Sequence, residues 1–364
     1  MFVSPQPGPG PSASVFQAAP ADGAALVRDA AWQPFDYDVA ARTMTFAHLP
    51  REAQQRAVFL DRRFVGAQSK SAPMPIASLD PAEVRAAAGP IHFIFHTGFC
   101  CSTLLTRALD IPGVSMGLKE PGVLVSFARH WSNARQAAGA LSALSLTLDL
   151  LSRPLALGET QIVKPSNVCN HLLPEVLHLR PDAKVLLMYS SLSDFLLAVA
   201  KRDIHGRVFA RQAFQGLAGA IPLDVTFAPE EQMMQTDLQI AAQLWLMQMS
   251  FFNATVTHYG PTRVRAISGD AFLANTVTAL TGASSFFGLG RSEAQWSELA
   301  AAPVFHEHAK EQGLPFDASK RSADLAQTRD RHAAEVATAA EWAGRLAAQA
   351  RVPMALRETL LNAG

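Results

Sequence analysis

The residues Thr97 to Thr103, TGFCCST, follow an apolar run, Pro90-Ile-His-Phe-Ile-Phe-His96, and precede a helical pattern from Leu104 to Leu109. A strand, a tight loop and a helix in that order leave backbone N–H groups unpaired at the helix start, where the helix dipole favours an anion. Thr97, Gly98, Phe99, Cys100, Cys101, Ser102 and Thr103 are therefore candidates to hold a phosphate or sulfate group, Ser102 and Thr103 adding hydroxyl donors. A plain strand-to-helix turn with a Ser/Thr cap accounts for the same residues. The loop lacks the lysine of GxxxxGK[S/T] and the glycine beside it, which argues against an ordinary kinase or GTPase.

Other chemistry-bearing groups are less specific. Cys100 and Cys101, at a helix start, have the setting of a lowered thiol pKa, but small loop-filling residues explain them too, since no Cys/His/Asn order surrounds them. His306-Glu307-His308 offers two histidines to one metal without a third ligand at a set spacing, so a solvated loop is favoured and no metal is expected. Met233, Met234, Met247 and Met249, with Trp245, Phe251 and Phe252, read as core of a long helix, some of them lining an apolar acceptor pocket.

The elements that must position the loop alternate. Strands are expected at Gln161 to Lys164, Ala183 to Tyr189 and Thr262 to Ile267, with helices from about Ser193 to Lys201 and up to Phe287-Gly288-Leu289. That alternation predicts a parallel α/β sheet covered on both faces. Residues 1–19 form a Pro/Gly/Ser leader and 20–88 a small mixed segment. In the latter, Arg42 to His48 alternates like a strand, Pro50 to Phe64 looks helical, and Pro73, Pro75 and Pro81 make a linker. Residues 89–300 form the α/β domain and 301–364 a mainly helical segment, helical from Ala318 to Ala350 and ended by Pro353.

With 364 residues, 49% of them hydrophobic and 17% charged, the chain can build a large core. Lys+Arg and Asp+Glu are both 31, so no basic excess advertises nucleic acid or an acidic membrane, and any anion must be held locally. Three cysteines, two of them adjacent, make no disulfide framework and fit a reducing cytoplasm. The stretch from Leu238 to Thr262 has no Lys, Arg, Asp or Glu, but Gln235, Gln239 and Gln243 at i, i+4 place amides on one face, as in a soluble amphipathic helix.

Four segments in order carry a resemblance. They are STLLTRALDIPGVSMGLKE from Ser102 to Glu120, the Lys164 strand, LLPEVLHLRPDAKVLLMYSSLSDFLLAVAKR with its Pro181-Asp182-Ala183-Lys184 lead into a strand, and Arg263 to Leu289. Together, over about residues 90–290, they resemble the sulfotransferase superfamily, above all its tyrosylprotein and bacterial carbohydrate branches. The resemblance implies a P-loop NTPase-like fold that moves a sulfuryl group from 3′-phosphoadenosine 5′-phosphosulfate to a hydroxyl, the loop at 97–103 holding the phosphosulfate.

It further implies that Glu120, eighteen residues after Ser102, is the general base, a role that suits a carboxylate whose pKa is raised by partial burial. Lys164 falls on the family's lysine-bearing strand end, where it would stabilise charge on the leaving phosphate. A turn glutamate before Pro121 and a lysine snorkelling to solvent are the plainer readings of these two residues. The acceptor is expected to be a small hydroxylated or phenolic molecule, on the apolar composition alone.

The sequence departs from the family's pattern at its cations. The loop cation falls on Phe99, its serine on Cys100 and its glycine on Cys101, while the 3′-phosphate arginine falls on Ser190 and a later phosphate-binding serine on Ala198. Each lost charge-assisted contact is worth roughly 1.5–3 kcal/mol, so two losses weaken binding about a hundredfold unless other cations substitute. His96, Lys119, Lys201, Arg202, Lys310 and Arg321 are the available replacements, Arg202 being taken with Ser190 into the donor site. Two rival readings stay open: a nucleoside-triphosphate-dependent phosphotransferase on the same fold, and a non-catalytic binding descendant.

Overall fold

The computed structural model describes residues 22–63, 71–134, 139–301, 318–357 and 360–361. The leader at 1–19, His306-Glu307-His308, Lys310 and the Arg321 side chain lie outside the described residues. Three strands, β1 (Trp32–Asp38), β2 (Thr43–His48) and β3 (Ser71–Pro75), pair in that order as an antiparallel sheet. Five more, β4 (Ile91–His96), β5 (Ser115–Lys119), β6 (Thr160–Lys164), β7 (Val185–Tyr189) and β8 (Val264–Ser268), form a parallel sheet in the order β5-β6-β4-β7-β8. The alternation read from sequence predicts this sheet. The chain leaves β4 toward β5 and β6 on one side and returns to β7 and β8 on the other, so the crevice beyond the C-terminal end of β4 is the switch point, where open α/β sheets bind ligands.

Every residue of β4 to β7 is buried, which only a sheet covered on both faces requires. Phe93, Phe95, Val163 and Leu187 pack on one face with Phe127, Phe195 and Trp245 from the helices Gly122–Ala134, Leu192–Ala200 and Asp237–Tyr259. Ile94, Ile162 and Leu186 pack on the other with Leu104 and Leu105 of helix Ser102–Ala108 and Leu280 of Thr276–Phe287. Helix Ser102–Ala108 lies so close to β5 that a Cβ on Gly117 would stand 2.4 Å from the Thr106 carbonyl oxygen, so glycine is required there.

Both sheet edges are covered, as exposed edges must be. Leu360 donates its N–H to the Ala266 carbonyl of β8 at 2.6 Å. At the other edge, the short helix Arg51–Arg56 lies along β5, and Leu60 donates its N–H to the Lys119 carbonyl at 2.7 Å. Sequence periodicity predicts a longer helix over 50–64, of which Phe64 lies outside the described residues, but the helix ends at Arg56 and Leu60 makes this edge contact instead. The proline linker is likewise corrected: Ser71–Pro75 is an edge strand, where proline's missing N–H costs nothing, and Pro81 opens helix Pro81–Ala87.

The reading of Gln235, Gln239 and Gln243 as a solvent-facing row is also corrected. Gln243 is 3% exposed and hydrogen-bonds Gln235, while Gln239 pairs with Thr236 in a capping box that starts the largely buried helix Asp237–Tyr259. Met247 and Met249 of this helix are core, but Met233 and Met234 are 84% and 85% exposed and lie outside it. No helix among the described residues is long and apolar enough to cross a membrane.

Candidate functional site

β4 delivers the chain to Thr97 at the switch point, and the turn into helix Ser102–Ala108 is made with Gly98 at φ 95°, Phe99 at 54° and Cys101 at 63°. Phe99 and Cys101 carry a Cβ in the left-handed region, at roughly 1–2 kcal/mol each, and such strain concentrates at ligand sites. Cys101 caps the helix without a side-chain hydrogen bond. Ser102 and Thr103 are 5% and 4% exposed, and among the described residues neither hydroxyl has a hydrogen-bond partner. Neither hydroxyl oxygen is sealed from solvent, so the two can meet an anionic ligand at the helix start.

Amides brace this loop from below. Asn167 Nδ2 and Gln248 Nε2 donate to the Thr97 carbonyl at 3.4 and 3.3 Å, and Asn170 Nδ2 donates to the His96 carbonyl at 3.0 Å and to Gln248 Oε1 at 2.8 Å. Sequence reasoning misses all three, because they reach the loop from two distant elements. Cys100 is fully buried, with Sγ 3.5 Å from the Met188 carbonyl, as a packing residue would be. Among the described residues no cluster of three or more His, Cys, Asp or Glu has the form of a metal site.

The ends of β5 and β6 put Lys119 and Lys164 side by side in register, and the chain turns immediately after Lys119 with Glu120 at φ 51°. Lys164 Nζ donates to Glu120 Oε1 at 2.6 Å, their side chains 0% and 10% exposed. His96, at the end of β4, completes the group, its Nε2 3.2 Å from Lys164 Nζ and 4.0 Å from Glu120 Oε1. His96 Nδ1 accepts the Gly98 N–H at 3.1 Å, which leaves the ring proton on Nε2, 3.1 Å from the Pro165 carbonyl. The histidine thus ties the loop to Pro165, the residue after Lys164, with its ring beside the ion pair.

The N-terminal segment closes this group from outside. Phe59 lies between Lys164 Nζ, 5.4 Å from its ring centroid, and Arg63 Cζ, 5.2 Å away. Asp61 and Glu120 raise the Arg63 pKa although burial opposes them. Lys119, 2% exposed, donates from Nζ to the Gln55 carbonyl at 2.9 Å. Burial lowers its pKa to about 8, Arg107 and Lys164 adding to the effect and Asp110 opposing it. Gln55, Phe59 and Arg63 carry no motif, so only the folded chain reveals them.

The expected donor-site residues separate into two groups. Arg202 comes to the loop, its guanidinium stacked 4.4 Å over the Phe99 ring, so a cation from the end of another helix stands where the loop's own sequence has an aromatic. Ser190 does not reach the surface. It is fully buried, its hydroxyl unpartnered and its carbonyl accepting Trp245 Nε1 at 3.0 Å.

No family model matches the chain, and no curated protein matches it. Among solved structures, a sulfotransferase domain from the curacin biosynthetic pathway is similar at 13% identity and TM-score 0.39, over 73% of this chain and 98% of its own. Sulfotransferase STF9 from Mycobacterium avium is similar at 10% identity and TM-score 0.39, over 69% of this chain and 79% of its own. At that distance the likeness assigns no role to any residue here.

Proposed function

We propose that the chain is a sulfotransferase-like enzyme that moves a sulfuryl group from 3′-phosphoadenosine 5′-phosphosulfate to a hydroxyl of a small hydroxylated or phenolic acceptor. The observation that carries this reading is the Lys164–Glu120 ion pair, held out of water at 2.6 Å at the strand ends. His96, whose ring stands beside the pair, ties Pro165 to the loop that carries the Ser102 and Thr103 hydroxyls. The donor supplies the sulfuryl group and departs as the bisphosphate. Ser102 and Thr103 hold its phosphosulfate end, and Arg202, stacked on Phe99, supplies the cation that the loop lacks. Glu120 takes the proton of the acceptor hydroxyl, and Lys164, sharing Oε1, stabilises the negative charge that grows on the phosphate oxygen. Ser190 is left out of the donor site, being packed against helix Asp237–Tyr259, whose Trp245 Nε1 donates to its carbonyl.

Thermal stabilisation by adenosine 3′,5′-bisphosphate, ATP and GTP, with and without magnesium, separates this reading from its rivals. A ligand at a hundred times its dissociation constant adds about 2.7 kcal/mol. Stabilisation by the bisphosphate alone is expected. Magnesium-dependent stabilisation by a triphosphate would instead favour a phosphotransferase, and silence throughout a non-catalytic protein. Glu120→Gln is expected to keep bisphosphate binding and lose turnover, by about 100-fold or more for a general base; a fully active variant rules Glu120 out.

A further inference from the structure

A half-open cleft of about 180 Å3 lies where the chain leaves helix Leu192–Ala200 and enters helix Asp203–Ala218, against the C-terminal helix Ala318–Gln349. Lys201, Asp203, Gln327, Thr328, Arg331 and His332 line it. Two permanent cations and an imidazole therefore face one carboxylate in a chain whose overall charge is zero. We propose that this cleft binds a phosphate monoester.

Apart from Asp203, which lines the cleft, three acids near it are committed elsewhere. Glu335 receives both guanidinium nitrogens of Arg207, at 2.7 and 2.9 Å, and its Oε2 stands 3.6 Å from His332 Nδ1. Asp237 pairs with Arg211 at 2.5 Å, and Asp194 lies 4.0 Å from Arg329. Among the described residues Arg331 has neither an ion-pair nor a hydrogen-bond partner, so its fork of donors faces the cleft uncommitted. A planar guanidinium matches two phosphate oxygens at once, an ammonium serves a third as a point charge, and an imidazole shares a proton with a group whose second pKa is about 6. A monoanionic carboxylate would leave part of this donor set unused. The volume is slightly above the roughly 150 Å3 of a cavity that admits benzene, enough for a phosphate with its ester carbon.

The phosphate has two possible sources: a free or small-molecule phosphate, or the ester of a nucleotide that also reaches the 97–103 loop, beside which Arg202 stands one residue from both Lys201 and Asp203. Only the second source rests on the proposed function. The test is calorimetric titration at constant ionic strength with inorganic phosphate, adenosine 5′-phosphate and adenosine 3′,5′-bisphosphate, on the full chain and on Arg331→Gln and Thr103→Val, singly and together. Arg331 is exposed, so its replacement leaves the fold intact, which circular dichroism checks.

Saturable phosphate binding is expected with Thr103→Val, which removes the loop's share, and adding Arg331→Gln weakens it about tenfold or more. Bisphosphate binding weakened by both substitutions identifies the nucleotide as the source, and by Thr103→Val alone the free phosphate. No saturable phosphate binding, or binding that Arg331→Gln leaves intact, overturns the proposal. Absence of sulfuryl transfer with the Arg331-dependent phosphate binding present would remove the proposed function and leave the cleft.

Discussion

At the residue scale, Glu120 and Lys164 are candidates in the sequence only through the family resemblance, since a turn glutamate and a snorkelling lysine account for the same residues. Their pairing with each other, and the fastening through His96, required the fold: Glu120 and Lys164 are 44 residues apart. Lys119 shows what such a site costs. An ammonium 2% exposed, with one backbone carbonyl for three donors, is held against its own desolvation. Its folded-state pKa, about 8 against 10.5, means that between those values the unfolded chain binds more protons, so stability rises with pH across that window. The interval corresponds to about 3 kcal/mol. Lys119→Met is expected to stabilise the protein at pH 7 by about 1–3 kcal/mol, after losing the Gln55 hydrogen bond. The difference between the two proteins, followed by urea unfolding, should shrink from pH 8 to pH 10.5. A variant less stable than the parent at pH 7 would refute the assignment.

At the element scale, the strands read from sequence are β4, β6, β7 and β8, short runs holding β-branched or aromatic residues, together with alternating β2. β5, Ser-Met-Gly-Leu-Lys, has no β-branched residue, and its glycine is there for helix Ser102–Ala108 rather than for the sheet. β1 carries Pro34 next to a register shift, and β3 carries two prolines, so both fail a propensity argument that tertiary pairing overrides. The base of β4 is tied to the last strand-facing helix by His92, whose Nδ1 accepts the Lys184 N–H at 3.1 Å and whose Nε2 donates to the Phe287 carbonyl at 3.0 Å.

Burial lowers the His92 pKa to about 4, Lys184 adding to the effect and the backbone contacts opposing it. The folded state therefore holds the neutral ring while the unfolded chain protonates near 6.5, and stability is lost as pH falls from 6.5 toward 4, by up to about 3 kcal/mol. Acid unfolding of the parent should be steeper over that window than that of His92→Gln. Equal slopes would show that the ring is free to charge in the folded protein.

At the scale of the whole molecule, the segment before β4 read only as a small mixed unit, and its task became visible once packed: it covers the β5 edge, holds Lys119 through Gln55 and roofs Lys164 with Phe59. A buried arginine adds to these contacts. Arg153, 1% exposed, donates to the carbonyls of Leu26 at 2.6 Å, Val27 at 2.9 Å, Trp32, and Leu150 at 3.0 Å. Burial lowers its pKa to about 10, Asp29 opposing, so it remains charged at neutral pH. Arg153→Met keeps much of the volume and strips these carbonyls of their donor, at about 1–3 kcal/mol each before water or rearrangement recovers part. A net loss of about 3 kcal/mol or more is expected.

Because Arg153 reaches from the parallel sheet's side to the carbonyls of Leu26, Val27 and Trp32, that loss is expected to be uneven. In native-state hydrogen exchange, amides of β1 and β2 are expected to lose protection while those of β4 and β7 keep it. Water then enters beside Lys119 and Lys164, so turnover of the proposed reaction should fall further than global stability predicts. If protection instead falls uniformly across both sheets, the N-terminal segment is part of one cooperative core, and its contacts to the two lysines are packing rather than a separable cover.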